Sequence, residues 1–117
     1  MRVYIAGPYT KGDRSENVRN AMRAMDQLIA AGHEPFCPLL THFQDLAFPR
    51  PWSDWMRIDL AWLPFAEAVV RLPGKSKGAD IETDAFQAVC ERKQVKLGIA
   101  IFYSVEAFLG SHGRVPE

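Results

Sequence analysis

The residues best suited to chemistry lie in one stretch, from Leu72 to Phe86. This stretch follows an apolar run, crosses a loop that holds Gly74 and Gly78, and enters a segment with apolar residues at helical spacing. A glycine-bearing loop between a strand and a helix gathers backbone N–H groups at the positive end of the helix dipole, where anions bind. Glu82 lies near the start of this predicted helix, where the dipole favours its ionised form. Glu82 is therefore either a solvated helix glutamate or a nucleophile or general base.

Asp59 is a candidate second carboxylate, because it lies beside the apolar stripe of another predicted helix. It is either an exposed acid near Arg57 or a group that orients a sugar hydroxyl or protonates a leaving base. Paired carboxylates in different environments break sugar–heteroatom bonds: one attacks or stabilises the oxocarbenium-like centre, and the other transfers a proton. The sequence gives no distance between Asp59 and Glu82, so both interpretations stay open.

Other polar residues also have both a structural and a functional interpretation. Tyr4 alternates with apolar neighbours as a core residue does, but its hydroxyl would lie near the carboxyl end of its strand. The polar residues of the central loop are either solvated or bind a phosphate: Lys75, Ser76 and Lys77. The three histidines lack metal-ligand spacing, and there is no Cys/His cluster or Walker loop. We therefore expect neither a metal nor an organic cofactor.

Strand and helix patterns alternate along the chain. Short apolar runs predict strands at 2–6, 34–38, 68–72 and 95–102, with helices in the segments between them. This alternation predicts an α/β fold in one domain over 1–117, with three layers and a four- to five-stranded parallel sheet (flavodoxin/Rossmann-like). Ligands of such sheets bind beyond the carboxyl ends of the strands. The loops at 7–12 and 74–82 should meet at that edge.

Capping residues predict where the helices begin. Either Asp13, with Glu16 three residues later, or Ser15 starts the first helix, and Ser53 starts the second. The third helix is expected from about 79 to 92, and Ser104 caps a short final helix.

Two of these helices have an apolar stripe that should face the sheet. In the second helix the stripe consists of Trp55, Ile58, Trp62 and Leu63. In the third helix it consists of Ile81, Ala85, Ala88 and Val89. Both stripes follow the helical period.

The segment from Leu39 to Pro51 is predicted to be irregular, because it is rich in proline and lacks a clear period. A loop of this length inside a compact domain is usually functional or disordered. Its aromatic content favours a lid or a subunit contact. Four aromatic residues would close over a base or pack against a second subunit: Phe43, Phe48, Trp52 and Trp55.

The composition is that of an ordinary globular protein, with 48% hydrophobic and 24% charged residues and a formal net charge of zero. A neutral chain lacks the excess of Lys and Arg that a nucleic acid polymer or a membrane surface requires. Cys37 and Cys90 are interpreted as reduced, packed thiols. Neither a leader peptide nor an apolar stretch of membrane-spanning length is evident, so we expect a cytoplasmic protein.

Three segments resemble the nucleoside 2-deoxyribosyltransferase-like superfamily, which includes the 2′-deoxynucleoside 5′-phosphate N-hydrolases. Residues 3–9 (VYIAGPY) resemble the opening strand and loop of that superfamily. Residues 58–70 resemble its aspartate-bearing helix and the strand that follows. Residues 76–82 (SKGADIE), followed by Ala85, resemble its nucleophile motif. The segments occur in the order of the family and span most of the chain.

The resemblance implies roles for three catalytic residues. Glu82 would be the nucleophile on the anomeric carbon, Asp59 would hold the sugar or assist the leaving base, and Tyr4 would orient the nucleophile through its hydroxyl. Ser76 and the loop at 7–12 would face the 5′ end of the sugar. Together with the central loop, this gives six expected substrate-binding residues: Gly7, Pro8, Tyr9, Lys75, Ser76 and Gly78.

The chain departs from the family pattern at two points. The transferases complete their site with an asparagine from a neighbouring subunit, but no asparagine follows Asn20 here, which favours hydrolysis. The phosphate hydrolases place an arginine in the first loop, where this chain has Thr10 and Lys11. Lys75 and Lys77 can compensate for that missing charge.

The resulting hypothesis is a homodimeric hydrolase that cleaves the N-glycosidic bond of a (deoxy)nucleoside 5′-monophosphate through Glu82. Its partner is a small nucleoside or nucleotide, and it needs no cofactor. Three alternatives stay open: a nucleoside 2-deoxyribosyltransferase, an NAD glycohydrolase, and a nucleotide-binding module without turnover.

Overall fold

A four-stranded parallel sheet forms the centre of the fold in a computed structural model that describes residues 1–116. Its strands are β1 (Arg2–Ala6), β2 (Glu34–Phe36), β3 (Ala68–Arg71) and β4 (Ile101–Phe102). Their order is β2-β1-β3-β4, and all three pairings are parallel. The chain moves to one side of β1 for β2 and to the other side for β3, so the topological switch point lies between β1 and β3. The predicted parallel sheet is confirmed.

Helices lie on both faces of the sheet, which confirms the three-layer α/β architecture, and residues 1–116 form five of them in all. They are α1 (Arg14–Ala30), α2 (Thr41–Ala47), α3 (Trp52–Trp62), α4 (Lys77–Lys93) and α5 (Val105–His112). Single 3₁₀ turns occur at Pro38–Leu40, Leu63–Phe65 and Leu97–Ile99. Helices α1 and α5 pack on one face of the sheet, and α4 packs on the other face. No helix among residues 1–116 has the length and apolar character that crossing a membrane requires.

The core is divided into two layers by the sheet. Alternate residues of β1 enter different layers: Val3 and Ile5 pack with α1 and α5, whereas Tyr4 and Ala6 pack with α4. Every residue of β3 is buried, as expected for a central parallel strand covered on both faces. Burial of each large apolar side chain in these layers stabilises the fold by about 1.5–3 kcal/mol. Both cysteines are free and buried.

Two of the predicted helix caps are confirmed and one is wrong. The Asp13 side chain accepts a hydrogen bond from the backbone N–H of Glu16 at 3.1 Å, and Ser104 caps α5 in the same way. Ser53 does not cap α3, which begins at Trp52 after Pro51. Pro51 has φ −59° and ψ 148°, so the ring itself sets the turn from extended chain into the helix without a side-chain cap.

The segment from Leu39 to Pro51 is not irregular, so that prediction was wrong. It contains the end of a 3₁₀ turn and the whole of α2. Pro38 starts the 3₁₀ turn rather than breaking a helix, because a proline is tolerated at the first helical position. No residue of α2 is buried, so its sequence carries no apolar period to reveal it.

The predicted strand at 95–102 was too long, since only Ile101 and Phe102 pair with β3. The apolar run before them forms a 3₁₀ turn in which Ile99 is 53% exposed. The apolar residues before Ile101 therefore suggested a buried strand, although they form a largely exposed turn. The second predicted strand ends at Phe36 and lies at an edge of the sheet.

The predicted apolar stripes of α3 and α4 are only partly confirmed: Leu63 and Val89 are buried as predicted, but the centre of each buried face lies elsewhere. In α3 the buried residues are Met56 and Asp59, whereas Trp62 is 60% exposed. In α4 the buried face is Ala79, Glu82, Thr83, Phe86, Val89 and Cys90. Because polar residues occupy part of these buried faces, the apolar residues alone indicated a different face of each helix. They are also the residues that carry the candidate chemistry.

Candidate active site

A cavity of about 530 Å³ lies at the carboxyl edge of the sheet, beside the switch point between β1 and β3. Its volume is within the range of about 300–1,000 Å³ that small-molecule sites have. The β1–α1 loop, the α2–α3 segment and the start of α4 form its walls. The predicted meeting of the loops at 7–12 and 74–82 is thus confirmed.

Three buried polar residues form what we call the acid floor: Asp59 and Glu82, which line this cavity, and Tyr4, which does not line it but bonds to Glu82. The exposed fractions are 1% for Tyr4, 7% for Asp59 and 6% for Glu82. The Tyr4 hydroxyl donates a hydrogen bond to Glu82 Oε2, although 78 residues separate them in sequence. Asp59 and Glu82 both line the cavity.

Rigid elements hold the acid floor. Tyr4 is in the middle of β1, in register with Phe36 of β2 on one side and Val69 of β3 on the other. The start of α4 is fixed by Ser76, whose hydroxyl accepts a hydrogen bond from the Ala79 N–H at 3.1 Å. Residues held between two strands or in a capped helix keep their geometry better than residues in loops.

Helix α4 begins at Lys77, two residues before the predicted start, so Glu82 lies in its second turn. The first-turn acid is Asp80. The dipole effect falls off within the first turn of a helix, so the expectation that it keeps Glu82 ionised was wrong. The immediate surroundings of Glu82 decide its charge instead.

Burial raises the pKa of Glu82 to about 8. The hydrogen bond from Tyr4 lowers this pKa, the nearby Asp59 carboxylate raises it, and the charge of Arg71 lowers it. Burial also raises the pKa of Asp59 to about 6. The pKa of Tyr4 is raised far above its ordinary value by burial and by the two carboxylates, so its hydroxyl remains a donor. Two carboxyl groups with unequal pKa values are the usual basis of an acid and base pair.

The outer part of the cavity has the opposite charge. Four exposed cations, which we call the cationic rim, line it: Lys11, Arg14, Arg50 and Lys77. Sequence reasoning did not identify Arg14 or Arg50. Arg14 is the first residue of α1 and directly follows the loop after β1. Its closeness in sequence to that loop could have predicted its position at the cavity. No such signal exists for Arg50, because its position depends on how α2 and α3 pack.

Side-chain hydrogen bonds hold the wall that α2 and α3 form. The Tyr9 hydroxyl and His42 Nδ1 are 2.5 Å apart, which joins the β1–α1 loop to α2. Asp45 Oδ1 accepts from Trp55 Nε1 at 2.8 Å and from the Arg50 N–H at 2.9 Å, which joins α2 to α3. This wall was missing from the sequence-based picture because α2 was not predicted.

Four of the six expected substrate-binding residues line the cavity: Gly7, Tyr9, Ser76 and Gly78. Pro8 and Lys75 do not line it. Pro8 packs instead against Gly74, where a Cβ atom would lie 2.8 Å from Pro8 Cγ. Lys75 is exposed, and the neighbouring Lys77 is the lysine that lines the cavity. Within residues 1–116, no cluster of three or more His, Cys, Asp or Glu side chains could hold a metal ion.

Comparison with known proteins supports the fold. Residues 1–96 match the sequence profile of a family described as "Domain of unknown function (DUF4406)". No curated protein sequence matches the chain.

Among solved structures, the chain is similar to a 2-deoxyribosyltransferase from the psychrotolerant bacterium Bacillus psychrosaccharolyticus. The TM-score is 0.56 at 18% sequence identity, and the match covers 76% of this chain and 66% of that enzyme. The chain thus matches just under two thirds of the length of the transferase. The chain belongs to the DUF4406 family and has the nucleoside 2-deoxyribosyltransferase-like fold.

Proposed function

We propose that the protein is a hydrolase that cleaves the N-glycosidic bond of a (deoxy)nucleoside 5′-monophosphate. The observation that carries the proposal is the acid floor, a buried glutamate bonded to a tyrosine hydroxyl with a second buried carboxyl on the same cavity. A carboxylate nucleophile and a separate proton donor are the groups that glycoside cleavage requires. The acid floor combines both in a cavity of suitable size.

In the first step, the Glu82 carboxylate attacks C1′ of the sugar. The bond from C1′ to the base nitrogen breaks, and its electron pair stays on the base, which takes the proton of the Asp59 carboxyl. Between about pH 6 and about pH 8 the two carboxyls hold one proton, which rests mainly on Glu82; the reacting form is the one in which this proton lies on Asp59 and Glu82 is ionised. The Tyr4 hydroxyl orients the attacking carboxylate, because it donates to Glu82 Oε2.

In the second step, water attacks C1′ and the ester bond to Glu82 breaks. The Asp59 carboxylate takes a proton from this water, and Glu82 leaves as a carboxylate. The products are the free base and a sugar 5′-phosphate, and both acids return to their starting protonation states. Every group in this cycle belongs to the chain or to water.

The cationic rim supports a phosphorylated substrate. Lys11 and Arg14 approach the cavity from the β1–α1 side, and Lys77 approaches from the N-terminus of α4. A helix N-terminus flanked by basic side chains favours a phosphate. We therefore place the 5′-phosphate at the rim and the glycosidic bond at the acid floor.

One similar solved structure is that of a 2-deoxyribosyltransferase, which supports a nucleoside-type substrate for this fold. Hydrolysis and base transfer share the first step and differ only in what attacks the glycosyl–enzyme intermediate. We assign water to this second attack, in line with the sequence, where no asparagine follows Asn20.

We further propose that the protein acts in the cytoplasm as a homodimer. Exposed aromatic and apolar side chains of the α2–α3 segment support the dimer. Phe43 is 57% exposed, Phe48 69% and Trp52 52%. Exposed large aromatic side chains grouped in one segment are consistent with an interaction surface. Sedimentation of the wild type and of a Phe48→Asp variant tests it, since the variant should be monomeric.

Base release from a panel of substrates tests the proposed reaction. The panel contains ribonucleosides, deoxyribonucleosides, their 5′-monophosphates and NAD, with and without a labelled acceptor base. Wild type and Glu82→Ala are compared by chromatography. We expect release of free base from one class of monophosphate by the wild type, and none by Glu82→Ala.

The other outcomes distinguish the alternatives. Incorporation of the labelled base into nucleoside would indicate a transferase, and nicotinamide release from NAD alone would indicate an NAD glycohydrolase. Tight nucleotide binding without any base release, unchanged by Glu82→Gln, would indicate a binding module. Each of these results contradicts the proposed hydrolase.

A further inference from the structure

A buried guanidinium lies at the carboxyl end of β3, outside the set of residues assigned above. Arg71 is the last residue of β3, in register with Ala6 of β1, and is only 8% exposed. Burial of a charged group is costly unless the charge is paired and hydrogen-bonded. The partners of Arg71 therefore indicate what this residue does.

All three hydrogen-bond partners of Arg71 lie in the segment that leads to Glu82. Arg71 Nη1 donates to the Leu72 carbonyl, and Nη2 donates to the Gly74 carbonyl at 2.9 Å. Nη2 also donates to Asp80 Oδ1 at 3.0 Å. One side chain thus joins the end of β3, the β3–α4 loop and the first turn of α4. The planar fork of arginine can hold several partners at once, which a single lysine ammonium cannot reproduce.

The β3–α4 loop has a conformation that needs such an anchor. Gly74 has φ +114°, which side-chain-bearing residues rarely adopt, and a Cβ atom at this position would lie only 2.8 Å from Pro8 Cγ. The loop is thus pressed onto the β1–α1 loop on one side and bonded to Arg71 on the other. Its geometry determines where α4 begins, and so where Glu82 points.

Arg71 also has an electrostatic link to Glu82. The groups that face Glu82 come from four elements: Tyr4 of β1, Cys37 before the first 3₁₀ turn, Asp59 of α3 and Arg71 of β3. Arg71 is the cation among these groups, and its charge lowers the pKa of Glu82 against the larger effect of burial.

We propose that Arg71 is a positioning residue for Glu82. It fixes the β3–α4 loop and the start of α4 through three hydrogen bonds, and it keeps a positive charge near the carboxylate. The proposal rests on the proposed function, because it assumes that Glu82 must be both aimed and ionised.

Two substitutions separate anchoring from charge. Arg71→Lys keeps the charge but loses the fork, and Arg71→Gln loses both. We expect both variants to lower kcat by about 10- to 100-fold with a smaller change in KM, because misplacement by about 1 Å has effects of this size. Only Arg71→Gln should move the limb of the pH–kcat/KM profile near pH 8 to higher pH, because that limb follows Glu82. Folded variants with unchanged kcat and an unchanged profile would overturn the proposal.

A milder variant covers the case in which the buried substitutions unfold the protein. The Asp80 side chain is 67% exposed, so Asp80→Asn should fold and weakens one of the three bonds. We expect a roughly 3- to 10-fold decrease in kcat with KM unchanged. An equal decrease in kcat for Asp84→Asn, an exposed acid of the same helix outside the network, would overturn the proposal.

A measurement without turnover keeps the two proposals distinguishable. The Glu82 carboxyl is followed by carbon NMR during a pH titration of protein labelled at its glutamates, with Glu82→Gln as the assignment control. We expect the Glu82 midpoint to rise in Arg71→Gln and to stay near the wild-type value in Arg71→Lys. If the wild type releases no base, the proposed function fails while this titration still tests the link. An unchanged Glu82 midpoint in Arg71→Gln would overturn the proposed role of Arg71.

Discussion

The two ends of the cavity differ in both burial and charge. The acid floor is nearly inaccessible to solvent, and its two carboxyls have raised pKa values. The cationic rim consists of exposed side chains on three different segments. Charges interact strongly where water is excluded and weakly where it is not. The acid floor is therefore suited to bond making and breaking, and the rim is suited to attracting and orienting an anionic substrate.

This contrast predicts different kinetic effects at the two ends. Changes in the acid floor should lower kcat, because they remove interactions made in the transition state. Changes in the rim should raise KM and reduce the dependence on salt, because they remove binding that the ground state and transition state share. The predictions below test this division, starting with the largest expected effect.

The largest effect is expected for Glu82→Gln. The amide has nearly the same shape and can still accept the Tyr4 hydrogen bond, but it cannot attack C1′ as a carboxylate. We expect kcat for base release to fall by about 10⁴-fold or more, with binding of the monophosphate retained. Single-turnover kinetics and calorimetric binding measure the two quantities separately. A Gln variant that keeps more than about a tenth of wild-type kcat would contradict a nucleophilic role.

A smaller effect, with a distinct pH signature, is expected for Asp59→Asn. The proposed reaction needs Glu82 ionised and Asp59 protonated, so wild-type kcat/KM should be bell-shaped with apparent pKa values of about 6 and about 8. Because the two acids interact, these values belong to the pair. Asp59→Asn should lower kcat by about 10²- to 10³-fold and remove the decline at high pH, leaving a rise to a plateau.

The pH profile of Asp59→Asn is the informative part of that experiment. A decline at high pH that persists in the variant would show that another group supplies the proton. Tyr4→Phe is the matched control, since it keeps Asp59 and should retain both limbs.

Most of the acid floor could be predicted from the sequence, and most of the wall and rim could not. Tyr4 and Glu82 lie next to elements with strong local signals, a short apolar strand and a glycine-bearing loop before a helix. Parallel topology then brings the ends of such elements together. Their ionisation could not be predicted, because it depends on burial by residues distant in sequence.

The wall was missed because its helix buries nothing. Helix α2 has no buried residue, so the period that reveals most helices is absent. Its place is fixed by contacts such as Tyr9 to His42 and Trp55 to Asp45, which join separate segments through single hydrogen bonds. The same reason explains why Arg50 was missed, whereas Lys77 was recognised from its loop.

A third, smaller effect is expected at the rim, where two lysines close in sequence, one before α4 and one at its first residue, make a matched pair. Lys77 lines the cavity and Lys75 does not, although both are exposed. Lys77→Met should raise KM for the 5′-monophosphate by about 10-fold with little change in kcat, and should weaken the salt dependence of kcat/KM. Lys75→Met should change KM by less than about 2-fold. Steady-state kinetics at low and high salt, on the monophosphate and on the matching nucleoside, measure both effects.

The control substrate sharpens that test. A nucleoside lacks the phosphate, so Lys77→Met should leave its KM nearly unchanged. Equal effects of the two lysine variants would mean that the rim acts through general charge rather than through a phosphate position.

The smallest effect concerns stability. The pKa of the Glu82 carboxyl is about 8 in the folded chain and near 4.5 in the unfolded chain, so the folded state holds the proton more tightly. The stability that this proton gives is present below about pH 4.5 and is lost as the pH rises through about 8. Glu82→Gln should therefore raise the Tm at about pH 9 by an amount equivalent to at least about 1 kcal/mol, with little change at about pH 4.5. Lys77→Met should show no such dependence, because the rim is exposed and its charges are already solvated. A pH-independent difference in Tm for Glu82→Gln would mean that Glu82 is hydrated, and that the two ends of the cavity are electrostatically alike.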